Sequence, residues 1–408
     1  MSVIRQVKLE LTNELRTAQP VLRMAATPEN NMPKVYVRKI GRQSIEEAVM
    51  KFLDEIRYTP AKNKIFIKPN ICGFYKPDSP CIVNPKVVGG IIEYLKKIKI
   101  TDITVGESPI PSDVNKVFEV TGYRRMAKKY NVALLDLNKA KKAAVSLPDF
   151  NLFLPKFLLE KECEYINVSK IKTHIQTAVS LCVKNQKGLL DFPGKRNMHI
   201  TGDLHENIRL LSEKIQPDFC IVDGTNALEG FGPGATGTEV KNLGLIVMGR
   251  DMYAVDRTCC RIMGINPDLV KHLRNDTDRC EVDGLTHVQI KKSFFFPKVK
   301  CFRKLKFHMW ITDKTCSGCS NLMGELKKEA FRNFKLFRKI LKFTLLQRLD
   351  ILSGNSCLPP RHGRVILLGN CMKGAAEKNK LCFIAGCPPT ADKLIEAILK
   401  LDGDDKPI

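Results

Sequence analysis

The sequence predicts an α/β protein with a mostly parallel sheet and helices on both faces of that sheet. Short apolar runs rich in valine and isoleucine recur from about residue 34 onward. Amphipathic stretches of helical period separate these runs, and polar or glycine-containing turns follow most of them. Strands that alternate with helices form parallel sheets covered on both faces, and their ligands bind beyond the carboxyl ends of the strands.

The individual elements carry local signals for their type and their start. Ser44 with Glu47 three residues later forms a capping box, and Asn84 before Pro85 opens a helix with proline at its favoured first position. Further helices are predicted near 114–129, 326–345 and 390–401. The predicted strands are 35–37, 64–67, 103–105, 133–135, 164–168, 219–222, 245–248, 365–368 and 383–384.

Changes in composition predict three parts of the chain. Residues 1–33 lack a sustained apolar period and are predicted to be a loose N-terminal arm. Residues 34–290 carry the α/β alternation. Residues 291–408 begin with a basic, phenylalanine-containing stretch and hold a basic helix and the most tightly spaced cysteines, so a smaller C-terminal α/β iron–sulfur domain or extension is predicted. In that helix Phe334, Phe337 and Leu341 are expected to pack on the domain, with the lysines in solvent.

Composition limits the class of protein. No stretch approaches the roughly 18 apolar residues of a membrane span, and no signal sequence is evident, so a cytoplasmic protein without a transmembrane segment is expected. The 67 basic against 43 acidic residues give a net charge of +24. That balance fits anionic ligands or an acidic electron carrier, and equally a lysine-rich proteome. No nucleic-acid-binding motif accompanies it, so nucleic acid is not expected as a partner.

Four cysteines near the C-terminus predict a metal site. Two lie within the tight turn Cys316-Ser317-Gly318-Cys319, and the others each follow a predicted strand and a glycine. Thiolates without histidine suit a [4Fe–4S] cluster or zinc, and the strand between the last two cysteines disfavours a zinc ribbon. The predicted ligands are therefore Cys316, Cys319, Cys371 and Cys387.

Other cysteines remain possible ligands. Cys357 precedes a pair of prolines and is an alternative. Cys382 is the second alternative, although its alternation with apolar residues predicts a core position in a strand. The adjacent Cys259 and Cys260 lie in a helical pattern and are interpreted as packing residues.

Several polar loops at predicted strand ends favour a small anionic ligand. Lysine and amide side chains and the backbone amides of a glycine-rich loop can each hold a phosphate or a carboxylate. The candidate ligand-binding residues are Lys68, Asn70, Lys170, Lys184, Asn185, Gly232, Gly234 and Gly237. His174, Lys172 and Asp223 are the candidates for catalysis, and Asp223 equally fits a helix or turn cap.

Three segments carry a resemblance to a known family. They are Ile67-Lys68-Pro69-Asn70, the segment 166–190 and the segment 221–264 with its glycine-rich loop. Together they resemble the family called domain of unknown function 362, over about residues 34–275. Members of that family often carry iron–sulfur modules, so the resemblance implies one here. The CxxCxxCxxxCP run of the ferredoxin-bearing members is absent, which favours a single cluster from dispersed cysteines.

Three functions follow as hypotheses. The first is an iron–sulfur redox protein or oxidoreductase that acts on or near a small anionic ligand, with an acidic electron carrier as partner. The second keeps a structural cluster and assigns the larger part of the chain to non-redox anion binding or transfer. The third is an interaction protein whose basic helix near 326–348 docks on an anionic membrane or on nucleic acid.

Overall fold

A computed structural model describes residues 32–401 of the chain with gaps. Most of the predicted N-terminal arm lies outside this range. The gaps are 110–112, 175, 202, 231, 233–236, 241–242, 274–279, 291–293, 295–299, 305, 312–318, 320–321, 323–325, 327–328, 331, 355–363 and 387–388. The described residues from Pro33 onward form one compact unit that contains two larger sheets.

The first sheet is mostly parallel, which confirms the predicted fold class. Its main strand order is β12-β1-β11-β9-β7-β2-β3-β4, with β10 beside β9 and β8 beside β7. Along that order only β11 runs antiparallel to its neighbours. The strands are β1 (Lys34–Lys39), β2 (Lys64–Pro69), β3 (Asp102–Glu107), β4 (Ala133–Asp136), β7 (Glu164–His174), β8 (Ala178–Val179), β9 (Phe219–Gly230), β10 (Gly237–Val240), β11 (Leu245–Gly249) and β12 (Glu281–Gly284).

Helices cover this sheet, and a separate hairpin of β5 (Lys142–Ser146) and β6 (Asn151–Pro155) was not predicted. The α-helices of this part are α1 (Ile45–Glu55), α2 (Pro85–Lys97), α3 (Val114–Val120), α4 (Tyr123–Tyr130), α5 (Lys156–Leu159), α6 (Leu181–Asn185), α7 (Phe192–Ile200), α8 (Leu204–Lys214), α9 (Met252–Ile262) and α10 (His287–Ile290). One-turn 3₁₀ helices lie at Gln186–Leu189, Pro267–Leu269 and Lys271–Leu273.

The helix starts predicted from Ser44 and Asn84 are confirmed, one predicted helix is divided, and the helix predicted over 326–345 is described from Phe334 to Leu345. Ser44 and Glu47 exchange both hydrogen bonds of the capping box. The Asn84 side chain accepts the amide of Lys86 at the start of α2. The helix predicted over 114–129 is interrupted between α3 and α4, because Gly122 adopts a left-handed φ of 80°.

Alternation along the central strands builds a core on each face of the sheet. In β9, Cys220 and Val222 belong to one apolar cluster, whereas Phe219 and Ile221 belong to the other. Successive side chains of a strand point to opposite faces, so both faces are buried by helices. This explains why the central strands are near-continuous apolar runs in the sequence.

The second sheet has the order β13-β14-β15-β16-β17. Its strands are β13 (Lys300–Lys304), β14 (Phe307–Ile311), β15 (Leu349–Ser353), β16 (Arg364–Leu368) and β17 (Cys382–Ile384). Its helices are α11 (Phe334–Leu345), α12 (Lys373–Asn379) and α13 (Ala391–Lys400), with a 3₁₀ turn at Asn370–Met372. The predicted boundary near residue 290 falls between the two sheets, and the division into separate domains stays a prediction. Strands β13 to β15 were not predicted.

Two expectations for this part are wrong. Phe334, Phe337 and Leu341 are exposed, because Leu336 and Phe343 on the opposite side of α11 are buried in the core instead. Cys382 is exposed rather than a core residue, because β17 is the edge strand of the sheet. Cys259 and Cys260 are buried in α9, as interpreted from the sequence.

Candidate anion site and cysteine site

Four adjacent parallel strands, in the order β9-β7-β2-β3, bring charged side chains together near the point where their regular parallel pairing ends. The charged residues are Asp223 on β9, Lys170 and Lys172 on β7, Lys68 on β2 and Glu107 on β3, and all five are buried. Helix α6 adds Lys184 and Asn185. The predicted site residues from four separate stretches of the sequence therefore meet at one place.

Lys68 forms a buried ion pair with Glu107. The Lys68 Nζ atom lies 2.8 Å from Glu107 Oε2, and it also donates to Asn185 Oδ1 at 3.0 Å. Burial lowers the pKa of Lys68, and the Glu107 carboxylate opposes that shift. The positive charge of Lys68 is thus balanced within the protein.

Lys170 forms the second buried ion pair, with Asp223. The Lys170 Nζ atom lies 2.9 Å from Asp223 Oδ2 and donates to Asn226 Oδ1 at 2.7 Å. Asp223 also accepts the backbone amides of Asn84 and Thr225. It therefore links the start of α2 to the central strands, which agrees with the capping role that the sequence also allowed.

Asn185 and Asn70 connect the first pair to Lys172. Asn185 Oδ1 accepts from Lys68 and from Asn70 Nδ2, each at 3.0 Å, and Asn185 Nδ2 donates to Asn167 Oδ1 at 2.7 Å. Asn70 Oδ1 then accepts from Lys172 Nζ at 2.8 Å. These amide groups fix the positions of the two lysines relative to each other, because each amide hydrogen-bonds on both sides.

Lys172 differs from the paired lysines in its acceptors. Its Nζ atom donates to two neutral oxygens, Asn70 Oδ1 and the Cys81 carbonyl at 2.7 Å, and lies 3.7 Å from Cys72 Sγ. Among the residues that the structure describes, no carboxylate lies within ion-pair distance of the Lys172 ammonium. The side chain is nevertheless buried. Its charge is left without a negative counterpart.

Lys184 is partly buried and likewise has no ion-pair or hydrogen-bond partner among the described residues. Burial, together with the nearby charges of Lys187 and Lys172, holds the pKa of Lys184 well below its usual range. Two neighbouring ammonium groups without a carboxylate create a local positive potential that an anion would neutralise.

Histidines surround these lysines, and burial keeps their pKa values low. Burial, reinforced by the charge of Lys184, holds the pKa of His174 well below its usual range. Burial, reinforced by the charge of Lys187, likewise holds the pKa of His199 well below its usual range. The Nδ1 atom of His174 accepts the amides of Gln176 and Thr177. His174 is therefore neutral with its proton on Nε2, so its Nδ1 atom cannot act as a base.

Buried polar atoms without a partner lie in the segments around Lys184. Within the described part of the chain they are Gln176 Oε1, Ser180 Oγ, His199 Nδ1 and His272 Nε2. The pKa of His272 is held well below its usual range by burial, followed by the charges of His205 and Lys184. Buried polar atoms normally find a partner, so several unsatisfied ones leave hydrogen bonds that a polar ligand or water could complete.

The glycine-rich loop is the turn between β9 and β10. Gly237 pairs with Gly230, while Gly234 lies outside the described residues. A Cβ atom on Gly232 would lie 1.9 Å from the Thr173 carbonyl oxygen. Glycine at this position therefore allows the turn to contact β7 directly, which accounts for one of the predicted ligand-binding glycines by close packing.

Glu107 is the main residue that sequence reasoning missed. It was not among the candidate residues, yet it neutralises Lys68 and accepts the amides of Ile71 and Ser108. Its position directly after an apolar run was the available signal. The proximity of Cys72 and Lys187 to the site had no comparable signal, because it depends on contacts between distant segments.

The structure describes two of the four predicted cluster cysteines and places them together. An ideal Cβ atom on Gly369 would lie 3.3 Å from Cys319 Sγ and 3.6 Å from Cys371 Sγ. The two sulfur atoms can therefore be no farther apart than the sum of these distances. Gly369 has a φ of 90°, which favours glycine, and its missing side chain leaves the space beside both sulfurs open.

The fourth cysteine segment reaches the same place. The Asn370 amide donates to the Gly386 carbonyl at 2.9 Å, and the Gly386 amide donates back to Asn370 Oδ1 at 2.8 Å. Cys387 follows Gly386 directly but, with Cys316 and Cys357, lies outside the described residues. Among the described residues no group of three potential metal ligands is complete. Two soft donors next to a glycine fit a thiolate-ligated cluster.

The fold and these sites define an α/β protein with a buried cationic site at its strand ends. Residues 65–261 match the family described as "Domain of unknown function (DUF362)", which confirms the resemblance. The matched range includes the residues of both ion pairs, Lys172 and Lys184. It ends before the predicted cluster cysteines.

One curated relative bears on the chain. "Thylakoid-associated protein sll1697" of Synechocystis sp. (strain ATCC 27184 / PCC 6803 / Kazusa) is 26% identical over 212 residues, which cover 50% of this chain and 64% of that protein. No solved structure matches the chain. None of the described helices is both long enough and apolar enough to cross a bilayer.

Proposed function

We propose that this protein binds a small anionic ligand, such as one bearing a phosphate, sulfate or carboxylate group, at Lys172 and Lys184. One observation carries the proposal: two neighbouring lysines, one buried and one partly buried, have no carboxylate partner among the described residues, whereas Lys68 and Lys170 beside them do. An uncompensated charge in a buried site is unfavourable, and an anion would remove that cost.

The neighbouring groups would fix the orientation of the ligand. Asn70 positions the Lys172 ammonium, and Asn185 in turn holds Asn70. The unsatisfied Ser180 Oγ and His199 Nδ1 atoms can complete the hydrogen bonds of a polyoxygen anion. A rigid set of donors lowers the entropic cost of binding. His174 would contribute as a neutral imidazole and not as a cation.

The test is isothermal titration calorimetry of the whole protein with sulfate, inorganic phosphate and a small dicarboxylate. The wild type should bind at least one of them. Since a hydrogen bond to a charged group contributes about 1.5–3 kcal/mol, Lys184→Met should weaken binding about 10- to 100-fold. Lys128→Met removes an exposed lysine of α4 and serves as the matched control, with unchanged affinity expected. Equal affinities in all three proteins would contradict the proposal.

We further propose that Cys316, Cys319, Cys371 and Cys387 hold one [4Fe–4S] cluster. The proximity of Cys319 and Cys371 at Gly369, with the segment before Cys387 hydrogen-bonded beside them, supports this second part. A bound cluster would supply one-electron transfer, so the protein as a whole would be an iron–sulfur redox protein or oxidoreductase acting on or near its anionic ligand. An acidic electron carrier and a location in the cytoplasm belong to this proposal.

Iron and sulfide analysis of anaerobically purified protein, with visible and paramagnetic-resonance spectra before and after dithionite, tests the cluster. About four irons per chain are expected for this cluster type. Cys371→Ser should abolish the signal, whereas Cys382→Ser should keep it, because the proposal gives the alternative ligand Cys382 no role in the cluster. Zinc in place of iron, or a cluster that survives Cys371→Ser, would refute the assignment. A cluster that cannot be reduced would favour the non-redox alternative.

A further inference from the structure

Helix α11 has three distinct faces. Leu336 and Phe343 are buried in the core of the second sheet. Successive residues of a helix are rotated by about 100°, which places Phe334, Phe337, Leu341 and Leu345 on one stripe roughly opposite that buried face. The cations occupy the flank next to the stripe. One apolar face therefore serves the fold, and a second apolar face does not.

The second apolar stripe is exposed along the whole helix. The exposed fractions are 73% for Phe334, 41% for Phe337, 42% for Leu341 and 53% for Leu345, and Leu346 directly after the helix is 68% exposed. Single exposed apolar residues are ordinary on protein surfaces. Four large ones in a continuous row, with a fifth directly after the helix, indicate an interaction surface.

The flank beside the stripe is positively charged and lacks compensation. It carries Lys335, Arg338, Lys339 and Lys342, and the helix contains no acidic residue. None of these four cations forms an ion pair with a residue that the structure describes, although Arg338 lies over the Phe334 ring at 6.0 Å. The absence of nearby carboxylates leaves this charge available to an anionic partner.

We infer that α11 docks the protein on the surface of an anionic lipid bilayer. The helix would lie in the plane of the interface, with its apolar stripe among the acyl chains and the adjacent lysines and arginine at the phosphate level. Charge alone would also fit a nucleic acid. A nucleic acid backbone, however, offers no apolar layer for a straight row of leucine and phenylalanine, whereas a bilayer offers both layers at the required depth.

The test is co-sedimentation of the full chain with phosphatidylcholine vesicles, with and without phosphatidylserine. The wild type should sediment with the anionic vesicles and much less with the neutral ones. Lys339→Gln with Lys342→Gln should weaken binding about 25-fold, since each cation near an anionic surface contributes about fivefold. Phe337→Ser with Leu341→Ser should abolish binding to both kinds of vesicle.

Matched controls separate docking from folding. Phe153→Ser replaces an exposed phenylalanine of β6, and Lys378→Gln with Lys393→Gln replaces exposed lysines of α12 and α13. All variants should keep the wild-type circular dichroism, because none of the altered side chains is buried, and these controls should keep wild-type vesicle binding. Two results would overturn the inference. One is an equal loss of vesicle binding in the controls, and the other is binding to duplex DNA or polyglutamate with no binding to anionic vesicles.

Discussion

The lysines at the candidate anion site differ in whether a buried carboxylate neutralises them. Lys68 and Lys170 each contact a buried carboxylate, whereas Lys172 contacts only neutral oxygens and a sulfur atom. Lys184 has no carboxylate partner among the described residues, and the charges of Lys172 and Lys187 further lower its pKa. A compensated charge links two strands, and under the proposed function an uncompensated one would take a ligand.

The largest expected effect is on stability. Lys170→Met leaves Asp223 buried without its cation, so the free energy of unfolding should fall by about 3–5 kcal/mol. Lys172→Met should change it by about 1 kcal/mol or less, because removing an uncompensated ammonium offsets the lost hydrogen bonds. Urea unfolding followed by circular dichroism measures both. Equal losses would show that the two lysines do not differ as described.

The sequence predicted the lysines of the site but not all of the partners that they bind. Lys68, Asn70, Lys170 and Lys172 were predicted, because each follows or ends an apolar run and parallel strands end at the same edge. Their partners were not all predicted, since Glu107 lies on another strand and compensates Lys68 only after the sheet has formed. Local patterns locate polar residues at a sheet edge but do not determine which of them form ion pairs.

In the fold, too, the sequence predicted local features correctly but not those that depend on tertiary packing. Capping residues such as Ser44 and Asn84 act within a few residues, so the helix starts were confirmed. The prediction of which face of α11 packs on the core was wrong. The sequence of this helix has two apolar stripes, and only tertiary packing selects Leu336 and Phe343 for the core. Cys382 was misplaced for a related reason: an alternating pattern does not distinguish an edge strand from a central one.

Sulfate should stabilise the protein only through the unpaired lysines. At about 100 times its dissociation constant a ligand adds about 2.7 kcal/mol to the free energy of unfolding. Lys172→Met combined with Lys184→Met should remove this specific gain and leave only the general effect of the salt. The comparison is made by urea unfolding with sulfate and with chloride at equal ionic strength. A full gain in the double variant would contradict the proposed site.

A smaller effect is expected at Gly188, which lies against the first ion pair. A Cβ atom there would lie 2.4 Å from Lys68 Nζ and 2.5 Å from Glu107 Oε1. Gly188→Ala should therefore force the pair apart and cost about 1–3 kcal/mol of stability, as overpacking does. Gly374→Ala is the control, because its Cβ would meet nothing within 4 Å. Unchanged stability in Gly188→Ala would show that the pair adjusts without cost.

The smallest expected effect is the uptake of protons when the anion binds. In the proposed site Lys184 would bind the anion in its charged form, and its pKa in the ligand-free protein is lowered from 10.5. Binding should raise that pKa, so the protein takes up a fraction of a proton, and sulfate affinity should fall as the pH rises through the lowered pKa. Calorimetry in two buffers of different ionisation enthalpy measures the uptake. Lys184→Met should abolish it, and an uptake that persists there would assign it to another group.

The most direct test is a nuclear magnetic resonance titration of the Lys184 side chain. Protein labelled with ¹³C at the lysine Cε atoms is titrated with base, with and without saturating sulfate, and the resonance is assigned by its loss in Lys184→Met. If Lys172 and Lys184 form an anion site, the pKa of Lys184 is lowered without sulfate and rises clearly when sulfate binds. An ordinary lysine pKa near 10.4 that sulfate does not move would contradict the central claim.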